Sequence, residues 1–367
     1  MDPTTAFCPN LDCPARGQAG KGNIRVHSLA TRRLRCRQCG TTFAASAGTV
    51  FYRLRTPPTT VTLVLTLLAH GCPRQAIVAA FGFDERTVSA WLARAGHHCR
   101  AVHEHRVEQP RALGHVQADE LRVKLQGGVC WMGFALALPS RLWLGGEVRV
   151  ERDLGMIRAL MARVRRCVAR GRILVCTDGL RAYVRATREA FRDKLRTGKA
   201  GHQPRRIWPN LLLAQLVKRY DERRIVSLER RIVHGRAHEV EKARAASSGP
   251  GVINTAYIER LNGTFRERLA ALARRTRALA RTTRTLEAGM WLVGTVYNFC
   301  RPHESLREVE GRAVRARTPA MAAGVTRRVW SLEDLLTYRV PPPRWTPPLR
   351  RGPHSHKTLA LMKQWCC

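Results

Sequence analysis

The segment Gly114-His115-Val116-Gln117-Ala118-Asp119-Glu120-Leu121-Arg122-Val123-Lys124-Leu125-Gln126 decides the fold. It alternates with a period of two, as a strand with one apolar face does. Asp119, Leu121, Val123 and Leu125 share one parity, and Glu120, Arg122, Lys124 and Gln126 share the other. A carboxylate on the apolar parity is costly unless it is paired or binds a cation. The alternation therefore singles out Asp119 and leaves Glu120 as an ordinary residue of the polar face.

Downstream, Cys130–Pro139 and Leu142–Val150 read as two more strands, joined by the turn Pro139-Ser140-Arg141. Leu154–Ala169 places Ile157, Leu160, Met161, Val164 and Val168 on one helical face, and Gly171 stops it. The short apolar run Arg172–Asp178 reads as a buried central strand. Ala182–Leu195 follows as helix and Arg223–Val233 as strand. Asn254 caps a helix running from Thr255 to Leu279, and Thr285–Phe299 is an apolar helix. Three strands, helix, strand, helix, strand, helix is the element order of a ribonuclease H-like α/β fold, a mixed sheet flanked by helices. That order alone says nothing of activity.

Acids are scarce, so their positions carry information. Asp178 ends the buried run and precedes Gly179, at the carboxyl end of a strand, where open α/β sheets bind ligands. Glu259 falls in the first turns of the helix after Asn254, with Arg266 seven residues on along the same face. Asp119, Asp178 and Glu259 together would repel one another unless divalent cations neutralised them, and hard oxygen ligands suit Mg²⁺ or Mn²⁺. Taken singly, each has a plainer explanation: Asp178 as a helix cap, Glu259 as a partner of Arg260. His303 could likewise donate a proton or simply fix the turn after the last helix.

Upstream, Cys8-x4-Cys13 and Cys36-x2-Cys39 have the two-pair spacing of a four-cysteine zinc site, with Gly40 after the second pair. With four sulfurs used, such a site is structural. His234-x3-His238 has helical metal-pair spacing but lies in a Gly- and Arg-containing connection with no third ligand nearby, and reads as a loop feature. Thr56-Pro57-Pro58 marks a boundary. Beyond it a first helix (Val61–Leu68), a second (Pro73–Phe81), Gly82 and a third (Asp84–Ala95) make a helix-turn-helix pattern. Asp84 caps the last helix, Val88, Trp91, Leu92 and Ala95 form its apolar face, and Arg86, Thr87, Ser89 and Arg94 are left to meet DNA.

The 367 residues carry 65 Lys and Arg against 27 Asp and Glu, a formal net charge of +38. That excess points to a polyanionic partner, because neutralising phosphates releases counterions. Between Arg260 and Arg284 there are eight Arg and one acid, Glu267. A helix of that balance repels itself unless it lies along phosphates, so Arg260, Arg266, Arg274, Arg275 and Arg277 are expected DNA contacts. The N-terminus has no signal-peptide pattern and no apolar run reaches the ~18 residues of a membrane span, so a cytoplasmic, nucleoid-associated protein is expected. The organisation expected is a ribbon over 1–55, helix-turn-helix over 56–104, catalytic α/β domain over 105–310 and a partly disordered Pro- and Arg-rich segment over 311–367.

Several motifs resemble the insertion-sequence DDE transposases, most closely the IS-one family and its zinc-ribbon relatives. They are Arg35-Cys36-Arg37-Gln38-Cys39-Gly40 leading to Gly48-Thr49, Phe51-Tyr52-Arg53-Leu54-Arg55, Thr177-Asp178-Gly179, and Asn254-Thr255-Ala256-Tyr257-Ile258-Glu259-Arg260. Tyr297-Asn298-Phe299-Cys300-Arg301-Pro302-His303-Glu304-Ser305-Leu306 with Thr318-Pro319 completes the ordered set. The resemblance implies that Asp119, Asp178 and Glu259 are the catalytic acids, holding two Mg²⁺ ions. It also implies metal-dependent cleavage and strand transfer at the terminal inverted repeats of a mobile element, into target DNA. The protein would act as a homo-oligomer, at least a dimer on DNA, with one structural Zn²⁺. The competing readings are a non-catalytic DNA-binding regulator derived from a transposase, and a nuclease that cuts without joining.

Overall fold

A computed structural model describes residues 2–195, 198, 203–222, 224–248, 251–311, 313–347, 349 and 352–365. In chain order the elements used below are β1 (Ile24–Ser28), β2 (Arg33–Cys36), β3 (Thr42–Ala44), α1 (Pro58–Ala69), α2 (Arg74–Phe81) and α3 (Glu85–Arg106). They continue with β4 (His115–Leu125), β5 (Gly128–Ala137), β6 (Leu142–Arg149), α4 (Leu154–Cys167), β7 (Ile173–Asp178) and α5 (Arg181–Ala190). Then follow β8 (Arg192–Lys194), β9 (Arg205–Ile207), β10 (Leu211–Asp221), β11 (Arg224–His234), α6 (Ala237–Ser248), α7 (Ala256–Arg268) and α8 (Thr283–Phe299). The last are β12 (Glu308–Glu310), β13 (Ala313–Arg315), α9 (Pro319–Ala322), α10 (Leu332–Thr337) and α11 (His356–Trp365). No helix among the described residues is long and apolar enough to cross a membrane.

The chain divides into two compact units, Met1–Pro58 with Leu336–Cys367, and Thr59–Leu335. This differs from the four segments read from the sequence. In the first unit β1, β2 and β3 form an antiparallel sheet. Its small core of Leu34, Phe43, Ile24 and the cysteines is completed by Trp365 from α11, which is 8% exposed. Gln18 Nε2 donates to Trp365 O at 2.9 Å, and Arg339 donates through Nε to Ala47 O and through Nη1 to Thr5 Oγ1. The segment expected to be partly disordered thus carries core residues of the N-terminal sheet. Polar segments with too little apolar surface of their own need a host, and this one finds it in β1–β3. Cys366 and Cys367 lie outside the described residues.

The second unit is α/β, with a six-stranded mixed sheet in the order β11-β10-β7-β4-β5-β6. The pairs β4–β7 and β7–β10 are parallel and the others antiparallel. Helices α4 and α5 cover one face, and α6, α7 and α8 the other. The arrangement is compatible with a ribonuclease H-like domain. Phe134 and Phe265 stack with ring centroids 4.3 Å apart, and Trp143 meets Trp291 at 5.2 Å in the same core. Asn298 clamps the backbone of Trp143, its Oδ1 accepting from Trp143 N at 2.9 Å and its Nδ2 donating to Trp143 O at 2.8 Å.

Three expectations are corrected. The strand parallel to β7 is β10, built from the apolar run Leu211–Leu216, while the expected strand near 223–233 is its antiparallel edge neighbour β11. The helix after β7 ends at Ala190 rather than Leu195, because Phe191 turns in to bury its ring against Trp208, centroids 5.4 Å apart. The Arg-rich helix stops at Arg268 instead of reaching Leu279. Beyond it Leu269 packs on Gly289, and Ala280 O accepts from Gln126 N at 3.1 Å. Packing Leu269 and burying Ala280 outweighs continuing a helix whose like charges repel.

Candidate active site

β4 and β7 run parallel, and their register ends at Ala118 opposite Thr177. The next residues, Asp119 and Asp178, therefore sit side by side where β7 stops. Adjacent side chains on β4 point to opposite faces of the sheet. Asp119 turns toward α7, where Asn262 Nδ2 donates to its Oδ2 at 2.8 Å. Glu120 turns toward α5, where Tyr183 Oη donates to its Oε2 at 2.8 Å. Even so, ligand atoms of Asp119, Glu120 and Asp178 lie within 4.8 Å of one another, a group that could bind a metal ion.

Glu120 is therefore not the ordinary polar-face residue expected. Its side chain is 0% exposed and ion-paired with Arg152, whose Nε lies 2.5 Å from Oε1. Arg152 also reaches Asp178 Oδ2 at 3.3 Å and lies over the Trp131 ring. One guanidinium thus partly offsets two of the three carboxylates. Among the described residues no cation pairs with Asp119. Burial, then the charges of Glu120 and Asp178, push its carboxyl up to about 7. Burial and Asp178 also raise Glu120, against the pull of Tyr183 and Arg152. Carboxyls crowded and desolvated in this way fit a divalent cation, which removes the penalty each imposes on the others.

Glu259 lies outside this group. Thr255 Oγ1 donates to its Oε1 at 2.8 Å, and Lys218 Nζ on β10 approaches the same oxygen at 2.5 Å. Burial alone would raise the Glu259 carboxyl, but Lys218 and Thr255 outweigh it and hold it below its usual range. The Glu259 side chain remains 47% exposed. Its helix is fixed by Gln117 on β4, whose Oε1 accepts from Ile258 N at 3.0 Å and whose Nε2 donates to Asn254 O at 2.7 Å. Asn254 Oδ1 accepts from Ala256 N at the head of α7.

Comparison of the chain with protein-family models gives no match, and comparison with curated proteins gives none.

Sequence reasoning missed the residues that set this geometry. Gln215 lies on β10, the strand it did not find. Its Nε2 donates to Asp178 O at 2.8 Å and Leu180 O at 3.2 Å, pinning the turn that presents Asp178. Arg152 was hidden in a polar loop with no periodic signal. On α5, Arg181, Arg185 and Arg188 recur at i, i+4 and i+7 along a groove beginning three residues after Asp178, and Arg192 of β8 lines the same groove.

The remaining expected DNA contacts separate by position. Gly82, at φ 68°, closes α2, Asp84 Oδ1 accepts from Arg86 N at 2.8 Å, and Phe83 packs edge-on to Trp91. Arg86 and Arg94 are exposed and Thr87 is half-buried. Ser89 Oγ accepts from Arg74 Nη1 at 2.6 Å. Arg266 is half-buried on α7, while Arg274, Arg275 and Arg277 are exposed in the non-helical stretch beyond it. His234 ends β11 and His238 opens α6, and neither joins a metal-ligand group among the described residues.

In the first unit Cys8, Cys13, Cys36 and Cys39 come together as a group that could bind one zinc ion. Cys8 and Cys39 sulfurs are 3.5 Å apart, and Cys13 and Cys36 sulfurs 3.8 Å. A tetrahedral site with Zn–S near 2.3 Å has edges of about 3.8 Å. Gly40, at φ 76°, donates to Cys36 O at 3.0 Å and closes the second knuckle. Burial pushes the Cys13 thiol up to about 12, as for a thiol that ionises only with a cation beside it.

Proposed function

We propose that the chain is a DNA strand transferase of the DDE transposase type, acting at the terminal inverted repeats of a mobile element. The supporting observation is the convergence of Asp119, Glu120 and Asp178 at the end of β7 in a chain of net charge +38. Asp119, Asp178 and Glu259 would hold two Mg²⁺ or Mn²⁺ ions, which when bound supply an activated attacking oxygen and a stabilised leaving oxygen at a phosphodiester. Asp119 must give up its proton to serve. Glu259 presents Oε2 while Lys218 and Thr255 engage only Oε1. Glu120 has both oxygens engaged, by Arg152 and Tyr183, and acts as a positioning residue for that wall of the site. The exposed arginines of α3, α5 and the 274–277 stretch hold the DNA backbone. The α2–α3 pair acts as a helix-turn-helix reading the element ends, and the cysteine group as a zinc ribbon. The protein works as at least a dimer on DNA.

The test is a joining assay with purified protein, Mg²⁺ and a plasmid carrying the gene's own flanking DNA. Asp119→Ala, Asp178→Ala and Glu259→Ala are each expected to lower joining at least ~10³-fold with DNA binding nearly intact. Glu120→Gln should cost about tenfold. Full joining by any of the three alanine variants removes that residue from the catalytic set. The Arg152 bridge favours one second reading, a non-catalytic DNA-binding regulator whose acids are neutralised by a guanidinium. DNA binding by wild type without metal-dependent joining would establish it.

A further inference from the structure

A cavity of about 350 Å³ opens on α7, lined by Arg141, Arg260, Arg301, His303, Tyr257 and Thr264 among others. Tyr257, Arg260 and Thr264 recur on α7 at i, i+3 and i+7, so they share one flank, while Glu259 and Asn262 turn toward Lys218 and Asp119. The cavity is thus separate from the acidic group, with α7 between them.

Three guanidiniums and an imidazole line it alongside two carboxylates, Glu267 and Glu304. Among the described residues Arg141, Arg260 and Arg301 form no ion pair, whereas the two acids at its rim are otherwise engaged: Glu267 pairs with Arg268 and Glu304 with Arg307. Arg141 lies 3.9 Å over the Tyr257 ring and donates to Leu138 O. The turn holds Arg141 at φ 56°, a conformation L residues rarely adopt, and Tyr297 Oη donates to Arg141 O at 3.1 Å to keep it there. Burial, then the charges of Arg141, Arg260 and Arg301, hold the His303 imidazole below its ordinary range against the pull of Glu304. Arginines whose neighbouring acids are paired elsewhere suit a phosphate, which accepts forked hydrogen bonds.

We propose that this cavity binds phosphate, holding one phosphodiester of a DNA strand on the flank of α7 opposite the acidic group. The site rests on the reading of DNA as the partner. It does not need the strand-transfer chemistry.

The test uses the full chain, a short DNA duplex of arbitrary sequence and a series of salt concentrations. Arg260→Ala/Arg301→Ala is expected to weaken binding at least tenfold at low salt and to reduce the salt slope of log K by about one, the signature of a lost phosphate contact. Unchanged affinity and slope overturn the proposal. Arg301→Lys should recover part of the affinity. A second readout needs no variant: in wild type, the duplex should shift the His303 imidazole NMR signals and raise the titration midpoint of that ring. No response to the duplex overturns the proposal. Saturation by inorganic phosphate or a mononucleotide, with no response to duplex, assigns the cavity to a free anion and also overturns it. The joining assay separates this result from the proposed function. A changed slope in a protein that never joins DNA keeps the cavity and rejects the transferase. Asp119-dependent joining with an unchanged slope does the reverse.

Discussion

His103 lies fully buried between the Trp143 and Trp291 rings, with centroids 4.8 and 5.2 Å away. Burial, deepened by the charge of Arg163, takes the imidazole down to about 3, and burial takes His115 down to about 4. The unfolded chain protonates both near 6.5 while the folded chain excludes the protons. Their contribution is therefore complete above about pH 6.5 and is lost as pH falls toward the folded values. At pH 5 His103 alone costs about 2 kcal/mol relative to pH 7. His103→Phe keeps the ring and removes the titration. Melting curves between pH 7 and pH 4.5 should show a smaller loss of Tm in the variant, and parallel losses would refute the argument. At this same scale, alternation located Asp119 but misjudged Glu120. The parity argument assumes a strand with one wet face. Helices cover both faces of β4, so Glu120 is buried and only the far end, at Arg122 and Lys124, meets water.

α3 shows why element boundaries were less legible than element types. Asp84, Val88, Trp91, Leu92 and Ala95 were readable as cap and apolar face, and all four apolar residues are buried. The helix nevertheless runs on to Arg106, because its second half packs on α8. That contact depends on Gly96: a Cβ there would sit 2.5 Å from Ala288 Cα. Gly96→Ala is expected to force the helices apart and cost about 1–3 kcal/mol, despite the better helix propensity of Ala. The Tm of the second unit should fall by several degrees, and an unchanged Tm would mean the two helices are not so closely packed. β10 was missed for a related reason. Leu211–Leu216 has no alternation, and unlike Arg172–Asp178 it is not bounded by glycines, so periodicity alone does not separate it from a buried helix segment.

At the scale of the molecule, the cysteine spacing foretold the four-sulfur group, whereas nothing in 336–367 announced where α11 would pack. Its apolar residues are few and their partners lie more than 300 positions away. Trp365→Ala should remove about 3 kcal/mol of core packing. Because folding and metal binding are coupled in such a unit, that corresponds to roughly 100-fold weaker zinc affinity, measurable by competition with a chromophoric chelator. Equal affinities would show that α11 is not part of the zinc-bound fold. The dependence of β1–β3 on Trp365 also orders events in time. Gln18 and Trp365 are 347 positions apart. At ~10 residues per second, roughly half a minute of ribosomal synthesis separates them. Once Cys39 is made, the cysteine-bearing sheet waits for Trp365 to join its core. A translation product stopped short of residue 365 would lack both the Trp365 ring in that core and the acceptor of Gln18.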